Sequence, residues 1–197
     1  MVIENTVEYM LEVQNTAKNK PDAIRIASYG LYAGIFSDGR DSTQWQGEKW
    51  RNITAETLNI IEQNCDDVRI MIGPPLFMSC HPNKNVKCID CYNKYASQMN
   101  RLWHHLQKWP NFKWRLLVPS HIKCVIAEKD KKFTGFTGGH NMTSSTWPDI
   151  SIDIPQKEIE VFKGIFDHNW RFAKPFTEEL RDELIEKPIT FDTLNFG

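Results

Sequence analysis

The sequence predicts an α/β sandwich, on three observations. Short segments rich in Ile and Val, such as 23–29 and 68–72, alternate with stretches whose apolar residues recur at helical spacing. Breaks such as Gly73-Pro74-Pro75 and Pro119-Ser120 stop the apolar runs. Strands alternating with helices favour a sheet covered by helices. At 197 residues the chain fits one domain, spanning 1–197, large enough to bury its own core.

Asn5 with Glu8 three positions on reads as a helix start, with Val7, Met10 and Leu11 on one face. Pro21 closes that stretch. Residues 23–29 then alternate, Ile24 and Ile26 against Arg25 and Ala27. Residues 30–50, rich in Gly, Asp, Ser and Gln, read as a long excursion, after which Thr54 can cap a helix that faces Leu58, Ile61 and Cys65 inward. Residues 68–72 form a strand, and about 77–93 a Cys-rich loop. A helix over 93–108 places Tyr95, Met99, Leu102 and Leu106 on one face. Strand candidates follow at 112–118, 122–127, 133–137 and around Ile152 and Ile154. Ile159, Phe162, Phe166 and Trp170 share a helix face, and a last helix starts at Thr177 and stops before Pro188.

Composition excludes several classes. A net charge of -1 gives no global field toward a polyanion, so any such surface is local. No stretch approaches the length of a membrane span, and residues 1–19 lack the pattern of a signal peptide. Five cysteines, three of them in one loop, fit a reducing compartment, and the expected location is cytoplasmic.

The most informative residues are His121, Lys123 and the run Gly138-Gly139-His140-Asn141. An imidazole can attack phosphorus or protonate a leaving oxygen. An ammonium and an amide can hold the non-bridging oxygens as their charge grows. His121 and Lys123, two apart on a strand, project from one face. The glycines let backbone approach a phosphate, while Thr143 and Ser144 line the pocket or cap a turn. His140 reads as a variable turn residue or a substrate contact.

This pattern resembles the His-x-Lys and Gly-Gly-x-Asn signature of the phospholipase D superfamily, present here once per chain. The resemblance implies a mixed sheet flanked by helices and a phosphodiester-cleaving site. Its acid, seven residues after the histidine and mainly structural, corresponds to Glu128 where the family has Asp, with Asp130 as a rival. The distance from that acid to Gly138 exceeds the family's, which implies an extended turn around 129–132. Asp149 corresponds to the carboxylate that orients the histidine, or else is a solvated acid at a strand edge. In-line displacement at phosphorus needs an attacking and a protonating imidazole on opposite sides. A single-motif chain supplies both only by pairing two copies, so a homodimer is expected. That scheme calls for no catalytic cofactor.

Cys88 and Cys91 have the C-x-x-C spacing of a zinc knuckle. With Cys80 and His81 they can close a structural zinc site; Cys65, His104 and His105 are alternative fourth ligands, and free thiols or a redox pair the simpler outcome. Cys124, among apolar neighbours, is expected to pack. Lys113, Arg115, Lys123, Lys129, Lys131 and Lys132 interleave with Trp114 and Phe133, as on a surface that tracks a nucleic-acid backbone or a solvated edge strand. The expected function is a metal-independent phosphodiesterase, an endonuclease acting on DNA or RNA through a phosphohistidine. The alternatives are a phosphodiesterase for lipids or small molecules, and an inactive nucleic-acid-binding or regulatory module.

Overall fold

The computed structural model describes residues 1–28, 44–77, 88–117, 122–140 and 150–190, with the backbone alone at residues 6 and 44–52. The strands are β1 Val2–Ile3, β2 Ala23–Ser28, β3 Asp67–Ile72, β4 Lys113–Leu116, β5 Cys124–Lys129, β6 Lys132–Gly138, β7 Ser151–Asp153 and β8 Lys174–Pro175. The helices are α1 Thr6–Lys18, α2 Gln44–Asn64, α3 Ile89–Leu106, α4 Ile159–Phe172 and α5 Glu178–Glu186. The strands form one mixed sheet in the order β1-β7-β6-β5-β2-β3-β4-β8. β2, β3 and β4 run parallel, and β5 lies antiparallel against β2.

Helices cover the two faces unequally. The larger core joins Tyr9, Met10 and Val13 of α1, Leu58 and Ile61 of α2, Tyr95, Met99, Leu102 and Leu106 of α3, and Leu180 and Leu184 of α5 to one sheet face. On the other face, among the described residues, α4 is the one helix, packing through Ile159 and Phe166 over Ala27, Met71, Cys124 and Ile126. Phe166 is fully buried, so truncation to Ala costs about 3–5 kcal/mol. Polar links also tie the helices: Gln14 Nε2 donates to Thr57 Oγ1 at 3.0 Å, and Tyr95 Oη to the Leu184 carbonyl at 3.0 Å.

Caps follow local chemistry. Asn5 Oδ1 accepts from the Glu8 backbone N–H, Glu8 Oε2 accepts from the Glu4 N–H, and Thr177 Oγ1 accepts from the Leu180 N–H. The sequence expectation fails in four places. The buried stripe of α1 is Tyr9, Met10, Val13 and Ala17, while Leu11 is exposed. Thr54 does not start α2; it is buried inside a helix that begins ten residues earlier. The Cys-rich loop ends sooner than expected, because residues 89–93 are already helical. The 129–132 turn carries no extension: Lys129 pairs with Lys132, and Asp130 and Lys131 form a two-residue turn at φ 51° and 62°. Positive φ at both positions matches the right-handed twist of the flanking strands, so the extra residues lengthen the strands instead.

Candidate active site

Sheet direction brings the motif-bearing segments to one end. The carboxyl ends of β2, β3, β4 and β6 and the amino ends of β5 and β7 all lie there. From β2 the chain builds β3 and β4 to one side and β5, β6 and β7 to the other. Ligands of open α/β sheets sit in the crevice left at such a reversal of strand order.

Lys123 immediately precedes β5, and Gly138 ends β6. The Lys123 carbonyl accepts from Thr137 Oγ1 at 2.8 Å and from the Gly138 N–H at 3.4 Å. These bonds fix the lysine-bearing segment against the Gly-Gly turn. The Gly139 N–H donates to the Ile150 carbonyl at 3.0 Å, which adds β7 to the unit. Gly138 is needed for a reason internal to the sheet. A Cβ there would meet the Ile150 carbonyl oxygen at 2.1 Å and Ser151 Cα at 2.4 Å.

His140 turns away from this edge. Its ring is buried, stacks on Tyr9 at 5.7 Å, and shares a 2.8 Å hydrogen bond between Nδ1 and Ser151 Oγ. Neither a substrate contact nor a variable surface turn fits that environment. Cys124 packs in the α4-side core, where burial pushes its thiol up to about 12.

Glu128 lies at the other end of β5, about 17 Å from Lys123 at strand rise. Its Oε2 accepts from Arg25 Nη2 at 2.9 Å. Asp130, in the hairpin turn, donates its backbone N–H to Asp22 Oδ2. His121, Asn141, Thr143, Ser144 and Asp149 lie outside the described residues, as do Cys80 and His81. Three of them adjoin a described residue in sequence: His121 precedes Ile122, Asn141 follows His140, and Asp149 precedes Ile150.

Cys88 is the N-cap residue of α3 and Cys91 sits in its first turn, so the two thiols share one helix end. His104 and His105 are in the last turn of that helix, roughly 20 Å away at 1.5 Å per residue. Zinc–ligand bonds of about 2 Å exclude both histidines from a site containing this pair. Cys65 is buried beside the start of β3, with Sγ 3.6 Å from the Asp67 carbonyl.

The basic residues do not form one track. Lys129, Lys131 and Lys132 are at the β5–β6 hairpin, and Lys113 starts β4, all at the sheet end opposite Lys123. Lys113 pairs with Asp67 at 2.7 Å, and the Arg115 guanidinium lies 4.5 Å from the Trp170 ring centroid. Strand direction separates residues that look close in sequence.

No protein-family model matches the sequence, and no curated protein matches it. Solved structures do. Nuc, a phospholipase D family member from Salmonella typhimurium, superposes with a TM-score of 0.50 at 16% identity, covering 90% of this chain and 99% of that one. NucT from Helicobacter pylori gives 0.53 at 15% identity, covering 89% and 98%. TrmBL2, an archaeal chromatin protein, gives 0.50 at 11% identity; 89% of this chain is covered, but only about half, 54%, of TrmBL2. The chain has the phospholipase D fold.

Proposed function

We propose that this protein is a phosphodiesterase that cleaves nucleic acid through a phosphohistidine, with its site completed by a second copy of the chain. The observation that carries the reading is the bonded unit of Lys123, Gly138 and β7 at the crevice end of the sheet, with His121 two residues from Lys123 and Asn141 three from Gly138.

In this reaction one His121 imidazole nitrogen attacks phosphorus and forms a P–N bond while the far P–O ester bond breaks. The leaving oxygen takes a proton from the His121 of the second copy. Water then attacks the phosphohistidine; that same second histidine accepts its proton, and the P–N bond breaks. Protons balance over the cycle, and both histidines return to their starting forms. Lys123 and Asn141 hold the non-bridging oxygens. The scheme takes no metal into the chemistry.

The exposed apolar side chains on the α4 face support pairing. Val161, Ile165 and Phe172 are exposed on α4, at 60%, 40% and 70%. Lys163 and Asp167 reach Phe133 and Arg25 on the hairpin side of that helix. At about 100° per residue, Ile165 and Phe172 fall on the opposite flank, outward and toward the crevice end. Val2 and Ile152, paired across β1 and β7, add exposed apolar surface. A second copy docked there brings two crevices together and covers side chains that water disfavours.

Nucleic acid is the favoured substrate, because TrmBL2, which shares this fold over about half of its chain, 54%, binds DNA. Among the described residues no helix is long and apolar enough to cross a membrane. Cys80, His81, Cys88 and Cys91 are proposed to hold a structural zinc ion; four protein ligands would leave no position for an activated water. The cysteine usage fits a cytoplasmic location.

The test is incubation of the protein with plasmid, single-stranded DNA, RNA and phosphatidylcholine vesicles in EDTA, beside His121→Ala. Cleavage of a nucleic acid by wild type and none by the variant is the expected result. Cleavage of the vesicles alone moves the substrate to lipid, and wild-type turnover by His121→Ala rejects the mechanism.

A further inference from the structure

We infer that His140 is a positioning residue, whose buried bond to Ser151 sets the spacing of the segments that present the reacting groups. The inference rests on the phosphodiesterase reading above.

Histidine placed this deep needs a reason. The His140 ring is 1% exposed, and Ser151 is fully buried. The ring lies on Tyr9 at an interplanar angle of 25°, and Tyr9 meets Phe136 edge-on at 5.4 Å. The Tyr9 hydroxyl is buried with no hydrogen-bond partner among the described residues, and its ring gives the imidazole a flat support. α1, the end of β6 and the start of β7 thus close on one ring. An apolar residue at 140 would pack against Tyr9 equally well, but would leave Ser151 Oγ without this partner in a dry site.

The neighbours give the bond its consequence. His140 is followed by Asn141, and Asp149 stands two residues before Ser151. The Gly138 N–H and Thr137 Oγ1 hold the Lys123 carbonyl, while the Gly139 N–H holds Ile150. With the His140–Ser151 bond, the segments leading to Lys123, Asn141 and Asp149 become one hydrogen-bonded unit. Removing the bond leaves the Gly139 N–H on Ile150 as the backbone tie to β7 but releases position 140, next to Asn141 in sequence, from Ser151, while the lysine side stays held. A displacement of about 1 Å at a reacting group can cost on the order of 100-fold in rate, so such slack acts on turnover more than on binding.

The experiment measures kcat, KM and melting temperature on bis(p-nitrophenyl) phosphate for wild type, His140→Ala, His140→Asn, Ser151→Ala and the double alanine variant. His140→Ala and Ser151→Ala should each lower kcat by roughly 10- to 100-fold with KM within about threefold. The double variant should be no worse than the poorer single one, since both remove the same bond. Asn carries an amide where the imidazole has Nδ1, so His140→Asn should recover most of the lost turnover even where its melting temperature stays low. Ser151→Ala is nearly isosteric and keeps the test open if His140→Ala fails to fold. An active wild type with unchanged kcat in folded Ser151→Ala overturns the positioning role alone. So does an Asn variant no better than Ala. A wild type that cleaves no phosphodiester instead rejects the reading beneath it, and this inference with it.

Discussion

Glu128 Oε2 accepts a hydrogen bond from Arg25 Nη2 at 2.9 Å, across β5 and β2 beneath α4. Arg25 is 6% exposed, and among the described residues its other carboxylate is Asp167, 3.7 Å from Nε. Glu128 therefore keeps a buried guanidinium paired, at the end of β5 away from Lys123. Glu128→Ala should cost about 2–4 kcal/mol, lower than a fully buried pair because Asp167 remains. Arg25→Met with Glu128→Leu should regain much of it. Urea denaturation measures both, and phosphodiesterase activity per folded molecule should stay near wild type. Lost turnover with unchanged stability would return Glu128 to the chemistry.

Gly138→Ala should destabilise by about 3 kcal/mol or more, since the added methyl meets the Ile150 carbonyl oxygen and Ser151 Cα, backbone atoms that cannot swing aside as a side chain can. Gly164 is the control: a Cβ there meets nothing within 4 Å, and Gly164→Ala in α4 should stabilise by roughly 0.5–1 kcal/mol. Thermal melts of the two variants should move in opposite directions.

His105 gives stability a pH dependence. Burial, helped by Lys108, lowers its imidazole from 6.5 to about 4. The unfolded chain binds a proton there between those values and the native state does not. Stability should be complete above about pH 6.5 and fall as pH drops toward 4, by about 2 kcal/mol after allowing for partial exposure. His105→Gln should flatten that part of the profile in denaturant melts from pH 4 to 7.

Ile165→Glu with Phe172→Glu should leave the fold intact, because both side chains are already exposed. It should convert the active species to a single chain mass in sedimentation and abolish turnover. Two charges inside a shared apolar surface oppose association. An active monomer at every concentration would remove the two-copy mechanism.

Protein purified without chelator should contain about one zinc per chain by elemental analysis. Cys88→Ser with Cys91→Ser should release it and lower the melting temperature, while folded protein keeps its activity. Metal-free wild type would return these cysteines to plain thiols.

What the sequence determined was local. Periodicity located Tyr95, Met99, Leu102 and Leu106, all buried as one face of α3, because a helix turns any 3.6-residue repeat into a stripe. Asn5 and Thr177 announced caps, since a side-chain oxygen beside free backbone N–H groups needs no distant partner. Thr54 sent the same signal and is buried inside a helix, where tertiary burial outweighed capping preference. Lys123 and Gly138-Gly139 stood out as candidates because their chemistry is rare at that spacing, and the structure brings their segments together. Only the tertiary structure could part Lys123 from Lys129, Lys131 and Lys132, since strand direction decides which sheet end a residue reaches. It also gave Gly138 its neighbour in β7, Glu128 its Arg25 and His140 its Ser151. Each joins chain segments whose meeting depends on sheet order, a property of the whole fold that no local window of residues contains.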